Sequence, residues 1–135
     1  MLKTTLNLSN PDLIKQHCLI KDGWHAANDN ATIKVSNPFN GDVIGTVPSL
    51  TTADVNDAVT YSHKAQITWA AKTPQERAQL LQKWADLIDA NKEDLAIIMT
   101  AEQGKPLAES RGEIGYANSF IRWFAEEGKR VYGDV

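Results

Sequence analysis

The chain has 135 residues, of which 42% are hydrophobic, 23% charged and 7% aromatic. That length suits one domain with a single core and is too short for most two-domain enzymes. With 14 Lys and Arg against 17 Asp and Glu the formal charge is −3, which gives no electrostatic footprint for nucleic acid or an anionic membrane surface. The single cysteine, Cys18, excludes an internal disulfide framework and any multi-cysteine zinc site. No uncharged apolar run approaches the ~18 residues of a membrane span, and residues 1–17 lack the continuous apolar stretch of a secretory signal. Asn7-Leu8-Ser9 and Asn30-Ala31-Thr32 fit the glycosylation pattern, but without secretion they are expected to stay unmodified. These features predict a cytoplasmic chain that engages neither nucleic acid nor membrane.

The sequence divides near Ser49 into a strand and hairpin region, 1–48, and a helical region, 49–135. Pro11 to Gln16 is read as one short helical turn. Cys18-Leu19-Ile20 and Trp24-His25 flank Lys21-Asp22-Gly23, and Asp-Gly is a strong hairpin signal. Thr32-Ile33-Lys34-Val35-Ser36 alternates like a half-buried strand; Asn37-Pro38 and Asn40-Gly41-Asp42 form a turn, and Val43-Ile44-Gly45-Thr46-Val47 returns as the partner. Pro48, with no N–H to donate, is expected to end that pairing.

Four helices follow. Thr51 caps the first, with Asp54 in a capping-box position, and Val55, Ala58, Val59, Ser62, Ala65 and Trp69 give it a small apolar face. Thr73-Pro74-Gln75-Glu76 is a sharper start, combining cap, proline at the first helical position and capping glutamate. That helix carries Leu80, Leu81, Trp84, Leu87 and Ile88. Asn91 is the expected cap of the third, which brings Leu95, Ile98 and Met99 to one face. Gly104 ends it, and Pro106 opens the last and longest helix. Such short connections favour antiparallel neighbours.

In the last helix Leu107, Ile114, Ala117, Ile121 and Phe124 form one apolar stripe, and Tyr116, Phe120 and Trp123 form a second, offset one. Together they cover more than half the circumference, wider than a helix on the surface of a small bundle needs. Either this helix is central in its own bundle, or its second face leans on protein outside these residues. Gly112 and Gly115 point to close packing, since glycine inside a helix costs about 1 kcal/mol.

Intrinsic chemistry is sparse. Cys18 lies in an apolar strand-like run with His17 on the opposite face, so it reads as a small buried hydrophobe rather than a nucleophile. His25 and His63 show no ligand spacing. Gly104-Lys105 fails as a phosphate loop, because Met99 stands where the first glycine belongs and Pro106 where Ser or Thr belongs. Neither a dinucleotide fingerprint nor a nucleophile elbow occurs. Glu126-Glu127 and Lys129-Arg130 read as a solvated helix end.

Several runs nevertheless carry a resemblance. They are residues 35–48 (Val35-Ser36-Asn37-Pro38-Phe39-Asn40-Gly41-Asp42 and the strand after it), Thr73-Pro74-Gln75-Glu76-Arg77-Ala78, residues 99–109 around Gln103-Gly104-Lys105-Pro106, Gly112-Glu113-Ile114, and residues 120–134 beginning Phe120-Ile121-Arg122-Trp123-Phe124-Ala125. In unbroken order these resemble the amino-terminal segment of the NAD(P)-dependent aldehyde dehydrogenases. The Gln-Gly-Lys-Pro run joined to the Trp-Phe-Ala run is most similar to the bacterial succinate-semialdehyde branch. The resemblance implies an α+β piece, a short antiparallel strand region followed by four helices, forming the N-terminal part of that family's α/β fold.

Family members are several times longer. Their cofactor strands, oxyanion asparagine, glutamate base and cysteine nucleophile all follow the matched segment, and Cys18 matches no family nucleophile. The complete enzyme implied would oxidise an aldehyde by thiolate attack, hydride transfer to NAD or NADP, and thioester hydrolysis. This chain alone is expected to hold no catalytic or cofactor-binding residue, to bind no cofactor and to be inactive. Its partners would be the remainder of the enzyme and, when complete, further copies in a homo-oligomer. The resemblance makes Tyr116 and Phe120 candidates for the wall of the substrate tunnel. It also makes Val35, Ser36 and Glu102 candidates for a monovalent-cation site, which would need further oxygens. The alternative is a self-standing helical interaction module that binds a protein partner through Tyr116, Phe120 and Trp123.

Overall fold

The computed structural model describes residues 6–21 and 23–133. A 3-10 turn at Pro11–Leu13 precedes four strands, β1 (Cys18–Ile20), β2 (Gly23–His25), β3 (Thr32–Ser36) and β4 (Val43–Pro48). Four helices follow: α1 (Thr52–Ala70), α2 (Pro74–Ala90), α3 (Lys92–Gln103) and α4 (Leu107–Glu127). The strands form two separate antiparallel pairs, β1–β2 and β3–β4. This is the α+β arrangement expected from the sequence. The opening turn is shorter than Pro11 to Gln16, because Ile14 already takes an extended conformation.

In the first hairpin Cys18 faces His25, Leu19 faces Trp24 and Ile20 faces Gly23. Lys21 enters the turn at φ 58; Asp22 of the Asp-Gly signal lies outside the described residues. The second hairpin is closed by side chains mimicking backbone turns: Asn37 Oδ1 accepts from the Phe39 amide at 2.9 Å and Asn40 Oδ1 from the Asp42 amide at 3.0 Å. Pro48 does not end the pairing as expected. It sits opposite Thr32, and the Ser49 amide beyond it still donates to Ala31 at 2.8 Å. Hydrogen-bonded and non-bonded pairs alternate along such a ladder, so Pro48 occupies a position where no donor is required.

Both expected capping boxes form. Thr51 and Asp54, and likewise Thr73 and Glu76, exchange side-chain and backbone hydrogen bonds. Gly104 ends α3 in the left-handed conformation at φ 80. Asn91 stands at the α3 cap position but its side chain does not cap. One residue separates α2 from α3, so the Asn91 amide turns back to the Leu87 carbonyl at 2.8 Å, while its Oδ1 accepts from Asn10 Nδ2 at 3.3 Å.

The core departs most from the sequence reading. Its buried apolar side chains, among the described residues, are alanines plus Ile44 and Pro48: Ala78 and Ala85 on α2, Ala96 and Ala101 on α3, Ala125 on α4, and Ala27 before the second hairpin. Small residues let α4 lie close along both α2 and α3, its two principal neighbours. Residue pairs 126 with 82 and 118 with 85 run antiparallel between α4 and α2, as do 110 with 100 and 111 with 93 between α4 and α3. By contrast α1 makes no extensive contact with any other element. Its apolar positions Val55 and Val59 stay exposed rather than forming a buried face. The chain exposes 9654 Å² of surface, whereas a compact monomer of 14.9 kDa would expose about 7,000 Å².

Candidate functional site

The inward face of α4 runs through Ser110, Ile114, Asn118, Ile121 and Ala125. Leu107, Ile114 and Ile121 thus turn inward as expected, but Ala117 and Phe124 do not, and the centre of the seam is polar. Asn118 is buried and donates to the Ala85 carbonyl at 3.0 Å and to Asp89 Oδ1 at 2.8 Å. Arg122, one turn on, reaches Gln82, Asp86 and Asp89 at 2.7–3.0 Å. Nothing in the apolar periodicity announced this network, since it depends on which helix lies opposite.

The outward face of α4 carries Tyr116, Phe120 and Trp123, which remain 66%, 46% and 61% exposed. Tyr116 and Phe120 meet edge to face with ring centroids 4.9 Å apart, a favourable aromatic geometry that fixes both rings without burying them. A shallow depression beside Phe120 is floored by Ser119, Trp123 and Phe124. On α2 the residues Leu80, Trp84 and Leu87 also point to solvent. Apolar patches of this extent mark surfaces made to be covered.

At the other end of α3 two of the sequence runs converge. Gly104 packs so closely on Pro38 that a Cβ built on the glycine would stand 2.8 Å from the proline Cγ. The turn after β3 and the Gln103-Gly104-Lys105-Pro106 run are therefore parts of one contact. Beside it, a crevice of about 30 Å³ brings Val35 and Glu102 together with Ile44, Thr46 and Ile98. Ser36 is not among its walls; it lies exposed on β3, past a bulge between Val35 and Ser36. No group of three or more His, Cys, Asp or Glu poised for a metal occurs among the described residues.

Cys18 is half-buried rather than buried, because a two-stranded hairpin covers only part of each side chain. His17, His25 and His63 are exposed. The arrangement also bears on cofactor binding. A pyrophosphate is ordinarily held at a helix N-terminus by free amides and the positive dipole end. Here every helix has acid in its first turn: Asp54 in α1, Glu76 in α2, Glu93 and Asp94 in α3, Glu109 in α4. In α1 and α2 the capping boxes occupy the amides as well. An anion placed at any of these helix starts would meet a carboxylate.

Charge pairs tie α4 to α2 and to α3, and a further one is local to the end of α4. Arg122 and then Asn118 hold the Asp89 carboxyl below its usual range; Arg111 does the same for Glu93, and Lys129 for Glu126. Such depressed carboxylates contribute stability that is complete above the ordinary carboxyl range and drains away as pH falls through the lowered values. The urea midpoint is therefore expected to stay level from pH 8 to pH 5 and to fall below about pH 4. Arg122→Met should flatten that fall, and salt should weaken the contribution because the pairs are solvent-exposed.

The aldehyde dehydrogenase family model matches residues 24–135. The chain belongs to the aldehyde dehydrogenase family. It is 50% identical over 130 residues to the glutarate-semialdehyde dehydrogenase of Pseudomonas putida, covering 96% of this chain and 27% of that protein. To the NADP(+) succinate-semialdehyde dehydrogenase of Escherichia coli it is 47% identical over 130 residues, with the same shares covered. A crystal structure of an aldehyde dehydrogenase from Brucella melitensis biovar abortus superposes with a TM-score of 0.94 at 60% identity, over 96% of this chain and 27% of that one. The chain thus spans about a quarter of the length of the relatives it matches, and corresponds to their N-terminal part. The chain corresponds to one part of a longer fold, and nothing favours the self-standing interaction module. Among the described residues no helix is long and apolar enough to cross a membrane.

Proposed function

We propose that this chain is the N-terminal structural part of an NAD(P)-linked aldehyde dehydrogenase that oxidises semialdehydes, aldehydes carrying a carboxylate at the far end, and that it is inactive alone. The observation carrying the reading is the superposition at TM-score 0.94 with only 27% of the relative covered. Two relatives are named for glutarate and succinate semialdehydes, which supports the substrate class. The name of the second supports NADP as one cofactor. In this reading NAD or NADP is held outside the chain, consistent with the acidic helix starts. When bound, the nicotinamide accepts the hydride.

Within that enzyme Tyr116 and Phe120 are assigned to the wall of the substrate tunnel, supported by their exposure and fixed mutual geometry. Val35, Ser36 and Glu102 are assigned to a monovalent-cation site. In support, Val35 and Glu102 share one crevice, and the bulge after Val35 takes backbone out of regular pairing. Residues 1–48 and 49–135 act together as one incomplete domain, with the remainder of the enzyme as first partner and a homo-oligomer as the completed form.

Complementation tests the proposal. The purified chain is mixed with the E. coli relative lacking its matched N-terminal segment, and succinate-semialdehyde-dependent reduction of NADP is followed. Activity is expected from the mixture and from neither part. Turnover by the chain alone would overturn the inactive-part reading, and a mixture that neither associates nor reacts would overturn the structural role.

A further inference from the structure

We propose that residues 6–16 form a releasable strap, fastened by Asp94, that closes the crevice between the β3–β4 hairpin and α3. Asp94 is only 4% exposed, and its two carboxylate oxygens accept from consecutive backbone amides, Ser9 at 3.0 Å and Asn10 at 2.7 Å. A carboxylate this covered is tolerated because both oxygens are satisfied, and such charge-assisted bonds are among the strongest a surface segment can make. Asn10 adds its contact to Asn91. Among the described residues, the far end of the strap is held by the Thr46 hydroxyl donating to Gln16 Oε1 at 2.9 Å and by the Lys15 ammonium 5.6 Å from the centroid of the Trp24 ring.

Between these two ends the segment has only the 3-10 turn at Pro11–Leu13 and no strand pairing. Its own backbone bonds are local, the longest from Leu13 to Asn10 and from Ile14 to Pro11. Leu6 and Ile14 form one wall of the crevice, and Ile44, Val47 and Ile98 form the other. A segment with few internal bonds and a catch at each end opens as a unit at a free energy below that of global unfolding. What it covers is a space of about 30 Å³, room for one or two water-sized guests, with Glu102 at its edge. The inference does not depend on the aldehyde acted on or on the cation assignment.

The test is access to the floor of the crevice. In a Cys18→Ser background, Ile44→Cys places a thiol at a buried position facing the strap, and its reaction with N-ethylmaleimide is timed. With Asp94 intact, labelling is expected to be slow. Asp94→Ala should accelerate it about ten-fold or more, with helicity by circular dichroism unchanged, and Asp94→Asn, which keeps one acceptor, should fall between. Amide exchange should quicken together at Leu8, Ser9, Asn10, Leu13 and Ile14. Unchanged labelling, or faster exchange at Ser9 and Asn10 alone, would overturn the strap. Should Asp94→Ala fail to fold, labelling with Asp94 intact in low urea decides: a rise well before the global transition supports the strap, and coincidence with that transition refutes it.

Discussion

Replacing Gly104 with alanine is expected to cost about 3 kcal/mol of stability, the sum of backbone strain and an overpacked contact. Gly104 holds φ at +80, where a Cβ is disfavoured, and the added carbon would stand 2.8 Å from Pro38 Cγ. Gly41 separates the two causes. Its φ is +74 but nothing lies within 4 Å of its virtual Cβ, so Gly41→Ala should show the strain alone, about 1 kcal/mol. The decisive measurement is a double-mutant cycle on urea midpoints. Pro38→Ala should recover most of the excess cost of Gly104→Ala, because it removes the atom that clashes. Equal costs at Gly41 and Gly104, with no coupling to Pro38, would show that the hairpin and the end of α3 do not press on one another.

That contact also marks how far the sequence could be read. Features whose partners lie a few residues away were legible: the capping boxes at Thr51 and Thr73, the left-handed stop at Gly104, and the turn around Asn37 and Asn40. Each follows from a local hydrogen bond or from the conformational freedom of one residue. Features that depend on distant partners were not. Asp94 carries no local signal, because its amide partners sit 84 and 85 residues earlier in sequence. Asn118 broke an apolar stripe and so passed unnoticed, although the α2–α4 seam is built around it. The core was misplaced for the same reason. Sequence reading ranks Leu, Trp and Phe as interior, yet interior positions here go to Ala and Ser, because α4 lies close against two helices at once. What survived was the width of the apolar surface on α4. Periodicity measures it directly, without knowing what covers it.

Exchanging the three outward rings of α4 for polar side chains, Tyr116→Ser with Phe120→Ser and Trp123→Gln, should leave the fold of this chain nearly untouched while abolishing complementation. Tyr116 and Trp123 are mostly solvent-exposed and Phe120 nearly half so, so their removal deletes limited burial from the chain itself, and exposed substitutions usually shift stability by no more than about 0.5 kcal/mol each. If the rest of the enzyme covers them, each ring gives up on the order of 100 Å² to the interface, worth about 2.5 kcal/mol at ~25 cal/mol per Å². Association always returns less than the area suggests. Even at half that value the triple substitution weakens binding of the remainder by roughly five hundred-fold. Titrating labelled chain with the remainder measures that affinity, and the melting curve of the chain alone supplies the control. A triple variant that melts far below the parent would mean the rings stabilise this piece from within. One that melts alike and still complements would mean the covering protein lies elsewhere, with Leu80, Trp84 and Leu87 on α2 as the next surface to alter.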